Sequence, residues 1–388
     1  MNEKSGNIFQ WSYWERQSFF NKIDIAVIGS GIVGLNTALE LKQKFPNKKI
    51  IVLERSFLPY GASTRNAGFA CFGSLSELID DAARWDEKTL YDITQKRIRG
   101  VRKIQKSFGK AKIGFKNYGG YELFFENNRA QYDKCISQMP LFNAMVYDIC
   151  GEKDCFTEQT KAIKKFGFAQ TSHLLFNRLE GQLDTGKLMR ILLQKVAKKG
   201  IPVYTGINID KIQDEQEGVR LHLNKAASFF TKKVVVCTNA FTKMLLPHLE
   251  IIPARAQVLI TKPIEKLKVR GTFHFDEGYY YFRNIDNRIL FGGARNMAFQ
   301  EEATEAFGVT DRIQGQLERL LKEIILPSVP VEIDMRWSGI MAFGTQKVPI
   351  VEMVSENVLV AARMNGMGVA IGGIIAEEAA NLVEDAWQ

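Results

Sequence analysis

Residues 23–54 run through a short apolar stretch, a glycine turn, a helically spaced apolar segment and a second apolar stretch that ends on an acid. Ile23–Ile28 reads Ile-Asp-Ile-Ala-Val-Ile, which suits a strand buried on both faces of a parallel sheet. Gly29-x-Gly31-x-x-Gly34 follows at once, with Ser30, Ile32 and Val33 at the intervening positions. In such a turn the first glycine permits the tight bend. The second lets the backbone approach a pyrophosphate, and the third lets helix and strand pack closely. Val33, Ala38, Leu39, Leu41 and Phe45 then recur at helical spacing and stop before Pro46. Ile50–Leu53 is a second buried-type strand, and Glu54 stands at its end, where an acid accepts hydrogen bonds from ribose hydroxyls. The unit predicts a dinucleotide site in which the start of the helix receives the phosphates. By itself it does not separate NAD from FAD.

A chain of 388 residues is too long for one typical domain and predicts two or three. Apolar residues at 46% and charged residues at 24% fit an ordinary globular protein whose core needs no staples. The formal charge of +9 raises a nucleic-acid or membrane partner. Lys and Arg are spread along the chain, however, so the balance reads as a basic solvated surface around an anionic cofactor and substrate. The five cysteines form no CxxC, and their odd number argues for a reducing compartment rather than a disulfide framework. No two of the four histidines lie three or four residues apart, so no zinc site is expected. The first residues, with Glu3 and Lys4, lack the continuous apolar run of a signal peptide, and no membrane-spanning apolar stretch occurs; a cytoplasmic location is expected.

Further along, residues 74–108 read as helical, 121–125 as a strand, 128–139 and 188–199 as helices, and 234–237 as a third buried-type strand. Alternation dominates residues 253–340, with Asp286-Asn287 as a hairpin turn and one amphipathic helix over 314–325. The chain closes with a strand at 358–361, a glycine cluster and a helix over 371–383. Dinucleotide-fold pieces thus lie at both ends and in the middle. The expected architecture is α/β with two interleaved domains. One, the dinucleotide-binding domain, takes residues 1–80, 181–250 and 341–388; the other, a mixed-sheet α+β substrate domain, takes 81–180 and 251–340.

Other segments add chemistry. Gly61-Ala-Ser-Thr-Arg-Asn-Ala-Gly68, small and polar with one cation, suits a loop running along a diphosphate toward a flavin ring. Thr238 and Asn239 follow the third strand, at the end that faces the ligand crevice of a parallel sheet. Asn365-Gly-Met-Gly-Val369 precedes a long helix, whose first N–H groups would stabilise negative charge on a reduced flavin. Tyr279, Tyr280, Tyr281 and Arg283 offer aromatic walls and a cation for a small amine carrying a remote acid group; core packing of alternate tyrosines is the competing reading. Cys71 reads as a small buried apolar residue.

In this order the motifs resemble the FAD-dependent D-amino-acid oxidase superfamily, and within it the branch of glycine and sarcosine oxidases and γ-glutamylputrescine oxidase. The resemblance spans nearly the whole chain. It rests on Ser12-Tyr-Trp-Glu15, the 29–34 turn, Glu54, the 61–68 loop, Val234-Val-Val-Cys-Thr-Asn-Ala240, Pro253-Ala-Arg-Ala-Gln257, Tyr281-Phe-Arg283 with Leu290-Phe-Gly-Gly293, Trp337-Ser-Gly339, Pro349 and Gly366-Met-Gly-Val369. It implies an FAD-binding Rossmann-type (glutathione-reductase-like) domain. Gly29, Ser30, Gly31, Ile32, Val33, Gly34, Glu54 and Arg55 would hold the AMP and pyrophosphate. Ser63, Thr64, Arg65, Asn66, Ala67 and Gly68 would line the flavin. Ile209 would touch the adenine through its backbone, and Gly366, Met367, Gly368 and Val369 would meet the pyrimidine end of the ring. Thr238, Asn239 and Gly339 complete the expected cofactor contacts, with Tyr281 and Arg283 on the substrate side.

The implied activity is oxidation of the C–N bond of a small amine or amino acid to an imine, with hydride transfer to flavin N5 and reoxidation by oxygen or another acceptor. Two positions depart from the family. Met341 stands where an Arg clamps the substrate carboxylate, a planar interaction that Met cannot replace. Arg283, Arg295, Arg336 or Arg363 would serve instead, or the substrate lacks an α-carboxylate. Leu290 stands where sarcosine oxidases carry a Lys near the flavin, which weighs against fast reaction with oxygen. Competing readings are a same-fold dehydrogenase that uses a quinone or carrier, a tRNA-modifying flavoprotein, and a flavin-bearing sensor without turnover.

Overall fold

The computed structural model describes residues 11–387, so Glu3 and Lys4 lie outside the described residues. Two eight-stranded sheets organise the chain. In the first, Val358–Ala362, Ala227–Val236, Ile23–Ile28, Ile50–Leu53 and Val203–Tyr204 run parallel in that spatial order. Ile350–Met353 adds an antiparallel edge, and the hairpin of Ile209–Glu215 and Gly218–Leu223 pairs with the early half of Ala227–Val236. Alternate residues of the central strands enter two cores. Ile25, Val27, Val52 and Val235 pack toward the helices, while Ala26, Ile51, Val234 and Val236 pack toward the hairpin. Both sets are buried, which is why these strands read as unbroken apolar runs.

The helical layer is built around the last helix, Gly368–Asp385, which lies against both Ile32–Lys44 and Glu87–Phe108. Its contacts rely on missing side chains. A Cβ on Gly100 would stand 1.8 Å from the carbonyl oxygen of Ala370, and one on Gly372 would stand 3.0 Å from Ile32.

The second sheet has the order Ile333–Phe343, Ile252–Thr261, Arg288–Gly293, Tyr280–Ile285, Thr272–Phe275, Gly120–Phe125, Thr171–Asn177 and Phe156–Glu158. Only the pairing of Thr272–Phe275 with Gly120–Phe125 is parallel. One face is aromatic: Phe273, Phe282 and Phe291 are fully buried, with Phe273 and Phe282 stacked at 4.7 Å. Ile313 and Leu317 of the helix Asp311–Leu320 join the same core, and each buried Phe contributes about 1.5–3 kcal/mol relative to exposure. The opposite face mixes apolar Val258, Ile260, Leu290 and Trp337 with Tyr281, His274 and Glu122.

The observed elements depart from expectation where tertiary contacts override local signals. The helix expected over 128–139 runs as Arg129–Cys150, with Pro140 inside it. Proline removes a helical hydrogen bond and crowds the preceding turn. The helix continues because Phe142 and Val146 share a core with Tyr132 and Cys135. Residues 74–108 form two helices, Leu75–Arg84 and Glu87–Phe108, each opened by a capping side chain, Ser74 and Asp86. The long amphipathic helix ends in one wider turn, Leu321–Ile325. Asp286 and Asn287 both take left-handed conformations, φ 45° and 58°, the turn geometry that matches strand twist. All five cysteines are unpaired. Among the described residues no helix is long and apolar enough to cross a membrane.

Gly100→Ala is expected to force the two helices apart and cost at least about 1–3 kcal/mol, read as a lower denaturation midpoint. Gly315→Ala, in a helix with open space around it, is expected to stabilise by about 0.5–1 kcal/mol in the same assay.

Candidate active site

A cavity of about 730 Å³ lies between the two sheets. One end is the glycine turn at the carboxyl edge of the parallel sheet; the other is the face of the second sheet opposite its aromatic core. At the first end Gly29 has φ +103°, and a Cβ on Gly34 would stand 1.9 Å from the Gly29 oxygen. The helix Ile32–Lys44 therefore begins flush against the strand. Neither its Gly31 cap nor Met367, which caps Gly368–Asp385, receives a side-chain hydrogen bond, so both helix starts open onto the cavity with N–H groups free of side-chain acceptors. The exception is Ile32, whose N–H donates to Ser63 Oγ at 2.9 Å. Glu54 is buried at the strand end, where its carboxylate accepts from Ser30 Oγ at 2.7 Å, Ser30 N at 3.2 Å and Ser56 N at 3.0 Å.

At the second end, strand register sets Trp337, Val258, Gly292, Tyr281, His274 and Glu122 in one row across six strands. Paired residues of neighbouring strands share a face. Gly292 leaves room for its neighbour: a Cβ there would lie 2.7 Å from the Tyr281 ring. Burial pushes the Tyr281 phenol up to about 12, so it stays protonated. His274 is buried, its Nε2 has no hydrogen-bond partner, and burial lowers its pKa despite the nearby Glu77 carboxylate. Behind it, Glu122 accepts from the Ser76 hydroxyl and N–H, and Glu180 accepts from Phe72 N and Gly73 N. Burial raises Glu122 to about 7 and Glu180 to about 8.

Most of the residues singled out in the sequence lie on the cavity wall: Gly29, Ser30, Gly31, Ile32, Val33, Glu54 and Arg55 around the turn; Ser63, Arg65, Asn66 and Ala67; Ile209, Thr238, Asn239 and Gly339; Gly366 to Val369; and Tyr281. Four lie behind it. Gly34 backs onto Gly29, Thr64 Oγ1 donates to Pro59 O at 2.8 Å, and Gly68 backs onto Leu183 O. Arg283 is buried and donates through Nη1 to Leu183 O at 2.9 Å and Gly68 O at 3.4 Å, so its charge is spent on two carbonyls rather than facing the cavity. Arg65 lies against Tyr60 and donates to Ser338 O at 2.7 Å, joining the 61–68 loop to the second sheet. Cys71 is buried on the wall, with Sγ 3.9 Å from Met367 Sδ. Sequence reasoning missed His274. The signal for it was the alternation in Thr272-Phe-His-Phe275, which sets His274 opposite the aromatic face.

Fold and cavity together define a dinucleotide-dependent oxidoreductase architecture. The chain belongs to the DAO family of FAD-dependent oxidoreductases, whose family model matches residues 24–382, and its cofactor is FAD. It is similar to gamma-glutamylputrescine oxidoreductase of Escherichia coli (strain K12), 25% identical over 397 residues, covering 91% of this chain and 83% of that protein. It is also similar to the probable oxidoreductase OrdL of Haemophilus influenzae, 22% identical over 366 residues, covering 90% and 80%. Glycine oxidase from Geobacillus kaustophilus shares the fold with a TM-score of 0.74 at 18% identity, covering 94% of this chain and 95% of that one. L-proline dehydrogenase from P. horikoshii does so with a TM-score of 0.73 at 19% identity, covering 94% of each. The residues present fit FAD: a turn with bare backbone at its tip, two helix starts without side-chain caps, and a buried carboxylate beside them.

Because Glu122 and Glu180 hold their protons to a higher pH when folded than when unfolded, folding takes up protons above the ordinary carboxylate range. Stability therefore falls as pH rises toward about 7–8. Glu122→Gln, a neutral isostere, is expected to melt close to the parent near pH 5 and above it near pH 8. Thermal melts across that range check the sign.

Proposed function

We propose that the chain uses FAD to oxidise the C–N bond of a small amine or amino acid to an imine, which water then hydrolyses. The observation that carries this reading is the single cavity that joins the glycine turn to the Tyr281–His274 row. Names among the relatives and structural neighbours, an oxidoreductase of gamma-glutamylputrescine, a glycine oxidase and an L-proline dehydrogenase, support a substrate of this class.

The turn and Glu54 would hold the AMP half of FAD, and Gly366 to Val369 with the 61–68 loop would hold the flavin half. When bound, FAD supplies the acceptor for the hydride. The chain does the rest. Tyr279 and Tyr281 wall the substrate, and Trp337, donating to Arg65 O at 3.0 Å, fixes the loop opposite them. Placement between the sheets orients the reacting bond. Only a neutral amine gives up its hydride readily. His274, kept neutral by burial and with Nε2 unpartnered, takes the ammonium proton; the groups facing it are Tyr281, Phe69, Glu77 and Glu122.

Anaerobic mixing of the FAD-bound protein with amines, N-methyl amino acids and amino acids is expected to bleach the flavin with at least one of them; bleaching by none would overturn the reading. Stopped-flow mixing of the reduced protein with oxygen then assigns the acceptor: fast reoxidation identifies an oxidase, slow reoxidation a dehydrogenase. His274→Gln is expected to slow bleaching about tenfold or more near pH 7. The rate should recover toward about pH 9–10, where free amine is populated in solution. Glu54→Ala is expected to weaken FAD retention by about 10- to 100-fold, measured by titrating apoprotein through flavin fluorescence quenching.

A further inference from the structure

We infer that Arg295 binds a carboxylate of the substrate, so that the substrate is an amino acid or an amine bearing an acid group. The inference rests on the reading above for placing the substrate in this cavity, and it names which substrates that cavity takes.

Met341 occupies the wall and provides no charge. Of the four arginines that the sequence offered in its place, three are committed elsewhere. Arg283 ties the carbonyls of Leu183 and Gly68. Arg336 donates to Gln314 Oε1 and Glu318 Oε1, both at 2.7 Å. Arg363 donates to Val348 O at 2.9 Å and Glu250 O at 3.0 Å. The other cations on the wall toward the second sheet are likewise paired: Arg97 with Asp81, Arg84 with Asp80, and Lys347 with both acids. Arg295 differs. It lines the cavity, and among the described residues no carboxylate or carbonyl lies within hydrogen-bonding distance of its guanidinium.

Its surroundings prepare it for a planar anion. The guanidinium lies against the rings of Phe299 and Phe343, each centroid 4.8 Å away. Aromatic contact covers a guanidinium while leaving its in-plane N–H donors available, and those donors match the two oxygens of a carboxylate. A half-buried cation with no ion-pair partner in hydrogen-bonding reach is costly, and a ligand anion offsets that cost.

Position excludes a role at the cofactor phosphates. Arg295 follows the strand Arg288–Gly293 directly after Ala294, whose φ of 62° turns the chain. It therefore sits beside the Gly292–Tyr281 part of the row, at the opposite end of the cavity from the glycine turn. Tyr279 packs edge-on against Phe299 at 5.6 Å and completes that aromatic corner. Arg295 thus follows the strand two places across the sheet from that of Met341, with Ile252–Thr261 between them.

The test titrates FAD-bound protein with benzoate and follows the flavin absorbance, which requires no turnover. The parent is expected to give a saturable spectral change. Arg295→Gln, retaining FAD, is expected to bind benzoate about 10- to 100-fold more weakly. Arg295→Lys should fall between, and Arg336→Gln should match the parent. Benzyl alcohol, the same ring without charge, should not distinguish the parent from Arg295→Gln. A parent that gives no benzoate response, or an Arg295→Gln protein that binds benzoate as the parent does, would overturn the inference. Should Arg295→Gln lose FAD, Arg295→Lys decides: weaker benzoate binding with FAD retained supports the site, and unchanged binding refutes it. If benzoate binding follows Arg295 while no amine bleaches the flavin, the oxidation reading falls and the carboxylate site stands.

Discussion

Gly34 and the carbonyl of Gly29 meet so closely that no side chain fits between them, and the rest of the cofactor end depends on that contact. It draws the first turn of Ile32–Lys44 down onto the strand and points the helix start along the sheet edge. It also leaves the neighbouring backbone bare enough for Ser63 to reach across and accept from Ile32. The dipole and free N–H groups of the helix then act at short range on whatever occupies the edge. The last helix repeats the arrangement from the other side, its start at Gly368 held in place by the close crossings at Gly100 and Gly372.

The second sheet supplies the opposite wall through simple alternation. Phe273, Phe282 and Phe291 secure one face in a dry aromatic core, and the residues between them necessarily point the other way. That geometry aligns Tyr281, His274 and Glu122 without any dedicated loop. Rigid pairing on both sides of each strand makes the row a fixed wall of the cavity. The buried carboxyls behind it are tolerated because Ser76 and the N–H groups of Phe72 and Gly73 satisfy them.

What the sequence made legible was local. The strand, turn and helix of residues 23–54, the Asp286-Asn287 hairpin and the closing glycine cluster are each written in adjacent residues whose spacing has one physical meaning. What it hid was set by pairing between distant segments. Glu122 stands beside His274 only because two strands about 150 residues apart run parallel. A cation's role was equally illegible: Arg283 and Arg295 lie twelve positions apart near one cavity, yet one is spent on carbonyls and the other faces open space. The helix expected over 128–139 continues through Pro140 because a local rule lost to the apolar contacts of Phe142 and Val146.

The order of the pieces along the chain also bears on how the protein is made. The strand Ile23–Ile28 leaves the ribosome some two hundred residues before its neighbour Ala227–Val236, and the helix that covers its layer follows later still. At roughly 5–20 residues per second that interval is some tens of seconds. Through most of it the flank of Ile32–Lys44 that Gly368–Asp385 covers stays open, and the layer closes only once that helix has emerged.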